Sequence, residues 1–192
     1  MKLSAMLEVA RLIERGDDRH SDGTMLIQKH GEKIDGKGHQ RLAAAIERGI
    51  KKATDLCDIV PAICSGNKGI PRDKMPQFRS DAVRQKFVTS LKDRGVRVTT
   101  GNVKVGQLKP TQNELSAAKV LKLAEVYLDG GFAKIRERIV VSKDNFIVDG
   151  HHRWAALMVV GPDETMNVVR VGIPIRALVD MANEFPGVEQ AA

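Results

Sequence analysis

The segment RIVVSKDNFIVDGHHRWAALMVV, residues 138–160, constrains the fold of this chain more than any other. Two short apolar runs, in RERIVVS and NFIVD, flank the turn-like pair Lys143-Asp144, a pattern that predicts a β-hairpin. Asp149-Gly150 then opens directly onto HHRWAALMVV, whose spacing predicts a helix with Trp154, Leu157 and Met158 facing inward. A hairpin that feeds a helix without a linker needs further elements on both sides to bury its apolar faces.

The flanking sequence supplies them. NVKVGQL, residues 102–108, reads as a short strand. In KPTQNELSAAKVLKLAEVYLDGG, Thr111 and Glu114 have the spacing of a capping box. Ala117, Val120, Leu121, Ala124 and Leu128 form an apolar stripe, and Gly130-Gly131 ends it. MNVVRVGI predicts another strand, and IPIRALVDMANEF a last helix after Pro174. Upstream, SAMLEVARLIERG, QRLAAAIERGIKKATDLCDIV and residues 80–93 have helical spacing, with Val83, Phe87, Val88 and Leu91 on one face of the last. Residues 17–40 read as a loop with one short strand near 24–28, and CSGNKGIPRDKMPQF as a loop. The expected class is α+β, divided into a mainly helical, basic region 1–99, a mixed domain 100–185 and a tail 186–192.

Hydrophobic residues make up 42% of 192, enough for a packed core, while aromatics at 4% leave that core to Leu, Ile, Val, Ala and Met. No apolar run approaches the roughly 18 residues that cross a bilayer, and the N-terminus does not read as a signal peptide. Cys57 and Cys64 are the only cysteines; they read as small buried apolar residues in a reducing, cytoplasmic protein. The net charge of +7 resides entirely in residues 1–100, which hold 20 Lys/Arg against 13 Asp/Glu; residues 101–192 hold 11 of each. That basic half could attract nucleic acid or another acidic surface, or serve as a solvated face.

DGHHR at a strand-to-helix junction has a chemical reading. The first N–H groups of a helix lack intrahelical partners, and the helix dipole makes that end partly positive. Gly150 permits close approach of a ligand to the backbone, Arg153 offers a planar fork, and His151 or His152 can donate to oxygens or move protons. Phosphate is the expected anion. Asp149 reads as a cap, an orienter of a histidine or a magnesium ligand. Against this stands the plain reading, in which Asp149 caps the helix and the histidines are surface residues. His20, His30, His39, Cys57 and Cys64 match no zinc-ligand spacing, and GKGHQR lacks the signature of a phosphate-cradling loop.

From about residue 102 to 178, the order of elements together with KVGQLKPTQNEL and RIVVSKDNFIVDGHHRWAA resembles the ParB/sulfiredoxin superfamily. The resemblance implies that the box 149–153 holds nucleotide phosphates. Sulfiredoxins carry a catalytic cysteine where this chain has His151, which argues against sulfinic acid repair. The Gly-Glu-Arg-Arg box and downstream helix-turn-helix of chromosome-partitioning ParB proteins do not appear either. The box is closer to that of the superfamily's free-serine kinases, and VDGHHRWAA is similar to phage proteins of the ParB-like nuclease type, as is GIPRDKMPQF.

The resemblance thus implies a nucleotide-binding phosphotransferase or NTPase that uses a nucleoside di- or triphosphate with Mg2+. Residues 150–152 and Arg153 would hold phosphate, with Asp149 toward the metal and Lys109, Thr111 and Gln112 toward the nucleotide. Glu114, His151 and His152 are the candidate catalytic groups, Glu114 as general base unless it serves as the partner of Thr111 in the cap. A DNA nuclease, and a non-catalytic phage accessory or virion-associated protein with a phage or host partner, are the alternatives. No membrane partner is expected.

Overall fold

The computed structural model describes residues 54–190 apart from 129–130, 136 and 161–162; the first expected helix and the short strand near 24–28 lie outside the described residues. The helix expected over 40–60 is interrupted within the described residues, because Asp55 bridges Ser116 and caps a new helix at Leu56. Two short helices come first, α1 (Leu56–Ile59) and α2 (Pro61–Cys64), followed by β1 (Pro76–Phe78) and α3 (Asp81–Asp93). Next are β2 (Val98–Lys104), α4 (Ala117–Leu128), α5 (Phe132–Ile135), β3 (Ile139–Val141) and β4 (Ile147–Asp149). The chain closes with α6 (His151–Val160), β5 (Thr165–Val171), α7 (Ile175–Asn183) and β6 (Val188–Gln190). This is an α+β architecture.

A four-stranded sheet has the order β2-β5-β3-β4. β5 runs antiparallel to β2 and parallel to β3, while β3 and β4 form the hairpin expected from the sequence. Parallel neighbours need a crossover, and β4 with α6 supplies it. Alternation along the strands sends side chains to two cores. Ile139, Val141, Ile147, Met166 and Val168 meet α1, α2, α4 and α6 on one face. Val140, Val148 and Val171 meet α3, α7 and Met75 on the other. Helices therefore cover both faces, which explains why residues 154–159 of α6 are all buried rather than only the three expected.

Several boundaries differ from expectation. β2 begins at Val98 and ends at Lys104, because residues 105–107 tighten into a 3-10 turn that directs the Val105 carbonyl at the Trp154 indole N–H, 3.0 Å away. The stretch expected as a loop, residues 64–78, contains a 3-10 turn and β1, and β1 pairs antiparallel with β6. Residues 76–78 and 188–190 thus form one small sheet across the expected divisions, and Phe87 and Leu91 of α3 share a core with Val140 and Leu178. The capping box is absent: α4 starts at Ala117, five residues later than Gln112, and it is the Ser116 hydroxyl that accepts from Lys119 N–H at 3.4 Å. α3 follows expectation, with the Ser80 hydroxyl accepting from Val83 N–H at 3.3 Å.

The cysteines are a correction. Cys57 and Cys64 are joined in a disulfide that ties α1 to α2, with Cα atoms 5.4 Å apart. The argument from two free thiols to a reducing compartment therefore loses its basis. Among the described residues no helix is long and apolar enough to cross a membrane. Closing a loop this short should stabilise the fold by roughly 2 kcal/mol. Thiol titration of the unreduced, denatured chain should find no free thiol, and reduction should lower the urea midpoint; two titratable thiols before reduction would contradict the pairing.

Candidate functional site

The box 149–153 sits where β4 meets α6. The β3–β4 register shifts between Val140 and Val141, placing Val148 as an extra residue just before the box, a bulge beside the junction. Gly150 has φ +101°, and a Cβ there would collide with the Ile139 side chain, so the turn into α6 requires glycine.

The two histidines do not behave alike in exposure, but they do the same thing. His151 is buried, and its Nε2 accepts from the Thr111 backbone N–H at 3.0 Å. His152 is half-buried, and its Nε2 accepts from Ser116 N–H at 3.2 Å. Both ring nitrogens must be unprotonated to accept, so both imidazoles are neutral at these contacts. Burial pulls the His152 pKa from 6.5 down to about 4, and the nearby charges of Arg72 and Lys119 push the same way. These side chains bolt the loop 111–116 to the helix rather than offering cations to a ligand.

That loop is fixed from its other side too. The Thr111 hydroxyl donates to the Ile147 carbonyl at 2.6 Å, and the Gln112 side-chain amide to the Glu114 carbonyl at 2.5 Å. Leu115 N–H donates to Asp55 Oδ1 at 2.8 Å, and Leu56 N–H to the Leu115 carbonyl at 2.7 Å. Thr111 and Gln112 are consequently buried, whereas Glu114 is exposed between the two histidine-held ends of the loop. Lys109 leads into the loop, but its ammonium lies over the Phe146 ring, 5.1 Å from the centroid.

On the box's acidic side, Arg153 is only 17% exposed. Its Nη1 donates to the Glu137 carbonyl at 3.1 Å and lies 3.5 Å from the Glu137 carboxylate, while Nη2 is 4.0 Å from Asp149. Burial raises the Asp149 pKa; Arg153, Arg84 and the Gly150 N–H oppose that shift. Arg84, from α3, is 12% exposed and pairs with Asp81 at 2.5 Å. Asp149 thus stands close to two guanidinium groups. No cluster of three His, Cys, Asp or Glu side chains suited to a metal occurs among the described residues. Magnesium would fit only as the counter-ion of bound phosphates, with Asp149 as its single carboxylate.

Sequence reasoning missed Asp55, Ser116, Glu137 and Arg84. Only Arg84 left a signal, as a cation beside Val83 on the apolar side of an amphipathic helix.

The lowered His152 pKa has a consequence for stability. Unfolded, the ring takes a proton near pH 6.5; folded, near 4, so between these values the unfolded state binds more protons. The contribution is complete above pH 6.5 and is lost as pH falls toward 4, by up to about 3 kcal/mol. Urea unfolding across that range should show the slope in the parent and its loss in His152→Gln, which keeps an acceptor. Asp149 tilts stability the opposite way but is common to both proteins, so it drops out of the difference; equal slopes would contradict the assignment. Comparison with protein-family models, with curated proteins and with solved structures found no match to this chain.

Proposed function

We propose that the chain binds a nucleoside di- or triphosphate at the N-terminus of α6, and that the bound nucleotide serves a phosphotransferase or NTPase reaction. The observation that carries this reading is Arg153. It is a nearly buried guanidinium in the first turn of a ten-residue helix, held by Glu137 and Asp149, three residues after the glycine that turns the chain into that helix. Helix-end amides and two arginines, Arg153 and Arg84, support an anion there. Each guanidinium also has carboxylate partners that a phosphate would have to share or displace. Phosphoryl transfer asks little covalent chemistry of a protein, so positioning and charge neutralisation there would supply most of the effect. Glu114, exposed on the loop that both histidines hold, would be the carboxylate that takes a proton from an acceptor. Magnesium, arriving with the nucleotide, would neutralise phosphate charge beside Asp149.

A second reading is favoured by one observation: the Nε2 atoms of both histidines are occupied by backbone amides. On that reading the domain binds without turnover, as an accessory protein would. The nuclease alternative has less support, since Asp149 stands beside arginines rather than further carboxylates.

Isothermal titration with ATP, ADP, GTP and CTP, with and without magnesium, tests binding. At least one should bind, and Arg153→Ala should weaken it by roughly 10- to 100-fold, the value of a charge-assisted hydrogen bond. No binding by any of them would refute the proposal. Binding without phosphate release or transfer would select the non-catalytic reading.

A further inference from the structure

Residues 101–192 are neutral in sum, yet the fold brings some of their cations together with Lys68 of the first half. Phe146 is buried, and two ammonium groups lie over its ring: Lys68 Nζ at 4.1 Å and Lys109 Nζ at 5.1 Å from the centroid. Backbone pairing fixes both. Lys109 bridges Phe146 and exchanges hydrogen bonds with Asn145 and Ile147, while Lys68 N–H donates to the Thr111 carbonyl at 3.0 Å. Arg176 reaches the Lys68 carbonyl at 3.4 Å. Arg170 donates to Asn145 Oδ1 at 2.6 Å, and Asn145 adopts φ +67° in the same turn that carries Lys143. Two ammonium groups thus cover the ring, and Arg170, Arg176 and the turn that carries Lys143 are tied to the same segments.

Among the described residues no acid forms an ion pair with any of these five cations; the ion pairs involve Lys74, Arg79, Arg84 and Arg153 instead. Asp144, within the turn, accepts from the Ser142 hydroxyl at 2.6 Å and offsets one of the five charges without forming an ion pair, and Asp73 pairs with Lys74. Lys68 and Lys109 stand within about one Debye length of each other, so their repulsion is only partly screened. Such an arrangement is relieved by an external polyanion. The cations are spread over separate loops and are mostly exposed or half-exposed, which suits a chain of phosphates rather than a single one. Phe146 is covered by its lysines and offers no face for a base, so backbone contact without base reading is what this surface can make.

We propose that the face around Phe146, carrying Lys68, Lys109, Lys143, Arg170 and Arg176, binds the phosphate backbone of nucleic acid without sequence preference. This does not depend on nucleotide binding at α6, and four of its five cations come from the half of the sequence without net charge.

Fluorescence anisotropy of the full chain with a labelled DNA duplex, across a salt series, tests it. Each neutralised phosphate contributes roughly −0.9 to the slope of log K against log salt. The triple variant Lys68→Ala, Lys143→Ala, Arg176→Ala should therefore flatten the slope by about 2 to 3 and weaken binding at least 10-fold at low salt. Unrelated duplex sequences should bind equally. Single Lys143→Glu and Arg176→Glu variants, at exposed positions, should each weaken binding and guard against a folding defect in the triple variant. Nucleotide titration of these variants should match the parent, which separates this surface from the α6 site. Absence of DNA binding, an unchanged slope in the variants, or binding to phosphatidylserine vesicles in place of DNA would overturn the proposal.

Discussion

The hydrogen bond from Thr111 N–H to His151 Nε2 is the contact on which the rest of the site depends. It joins positions 40 residues apart, and both partners are buried. A buried amide without an acceptor costs about 1–3 kcal/mol, so this loop cannot leave the helix without a penalty. The Thr111 hydroxyl on the Ile147 carbonyl and the Pro110 ring beside it, also buried, make the attachment rigid. His152 with Ser116 then fixes the far end of the same loop, and Asp55 holds Leu115 from outside. The disulfide between Cys57 and Cys64 bears on this chain of contacts, because it constrains the segment that carries Asp55 and Leu56.

The division of labour within the box follows. Histidines placed to accept backbone hydrogen bonds are spent on shape, and a ring whose pKa lies near 4 carries no charge at neutral pH. Arg153 is instead held in place by Asp149 and Glu137, with Arg84 also near Asp149, and in the proposed function it is this guanidinium that meets the anion. The glycine between them is required by backbone geometry and side-chain crowding against Ile139. Five adjacent residues thus contain two kinds of side chain, histidines that clasp a loop and an arginine held by carboxylates, that a reading by residue type would merge.

Legibility in the sequence tracked the range of the interactions. The hairpin, α6, β5 and α7 were readable because alternation, turn residues and helical spacing are local. α4 was readable as a stripe, with Ala117, Val120, Leu121 and Ala124 all buried, but its start was misplaced. Thr111 and Glu114 have capping-box spacing, yet tertiary bonds to His151 and Ile147 claimed Thr111 first. β1 was not readable, since residues 76–78 gain their strand character from β6 more than 100 positions away. The histidines looked like ligands for the same reason: their partners are backbone amides, which leave no mark in a sequence. Four of the five cations near Phe146 were hidden in a half of the chain whose charges cancel, and Lys68 joins them from the other half.

Nitrogen-15 NMR of the imidazole rings measures the central claim directly. Assigned spectra at pH 7 should show His151 and His152 as neutral rings protonated on Nδ1, with unprotonated Nε2 atoms, and the His152 signals should not titrate until the pH approaches 4. Rings protonated on Nε2, or His152 titrating near its ordinary 6.5, would mean that these side chains do not clasp the loop.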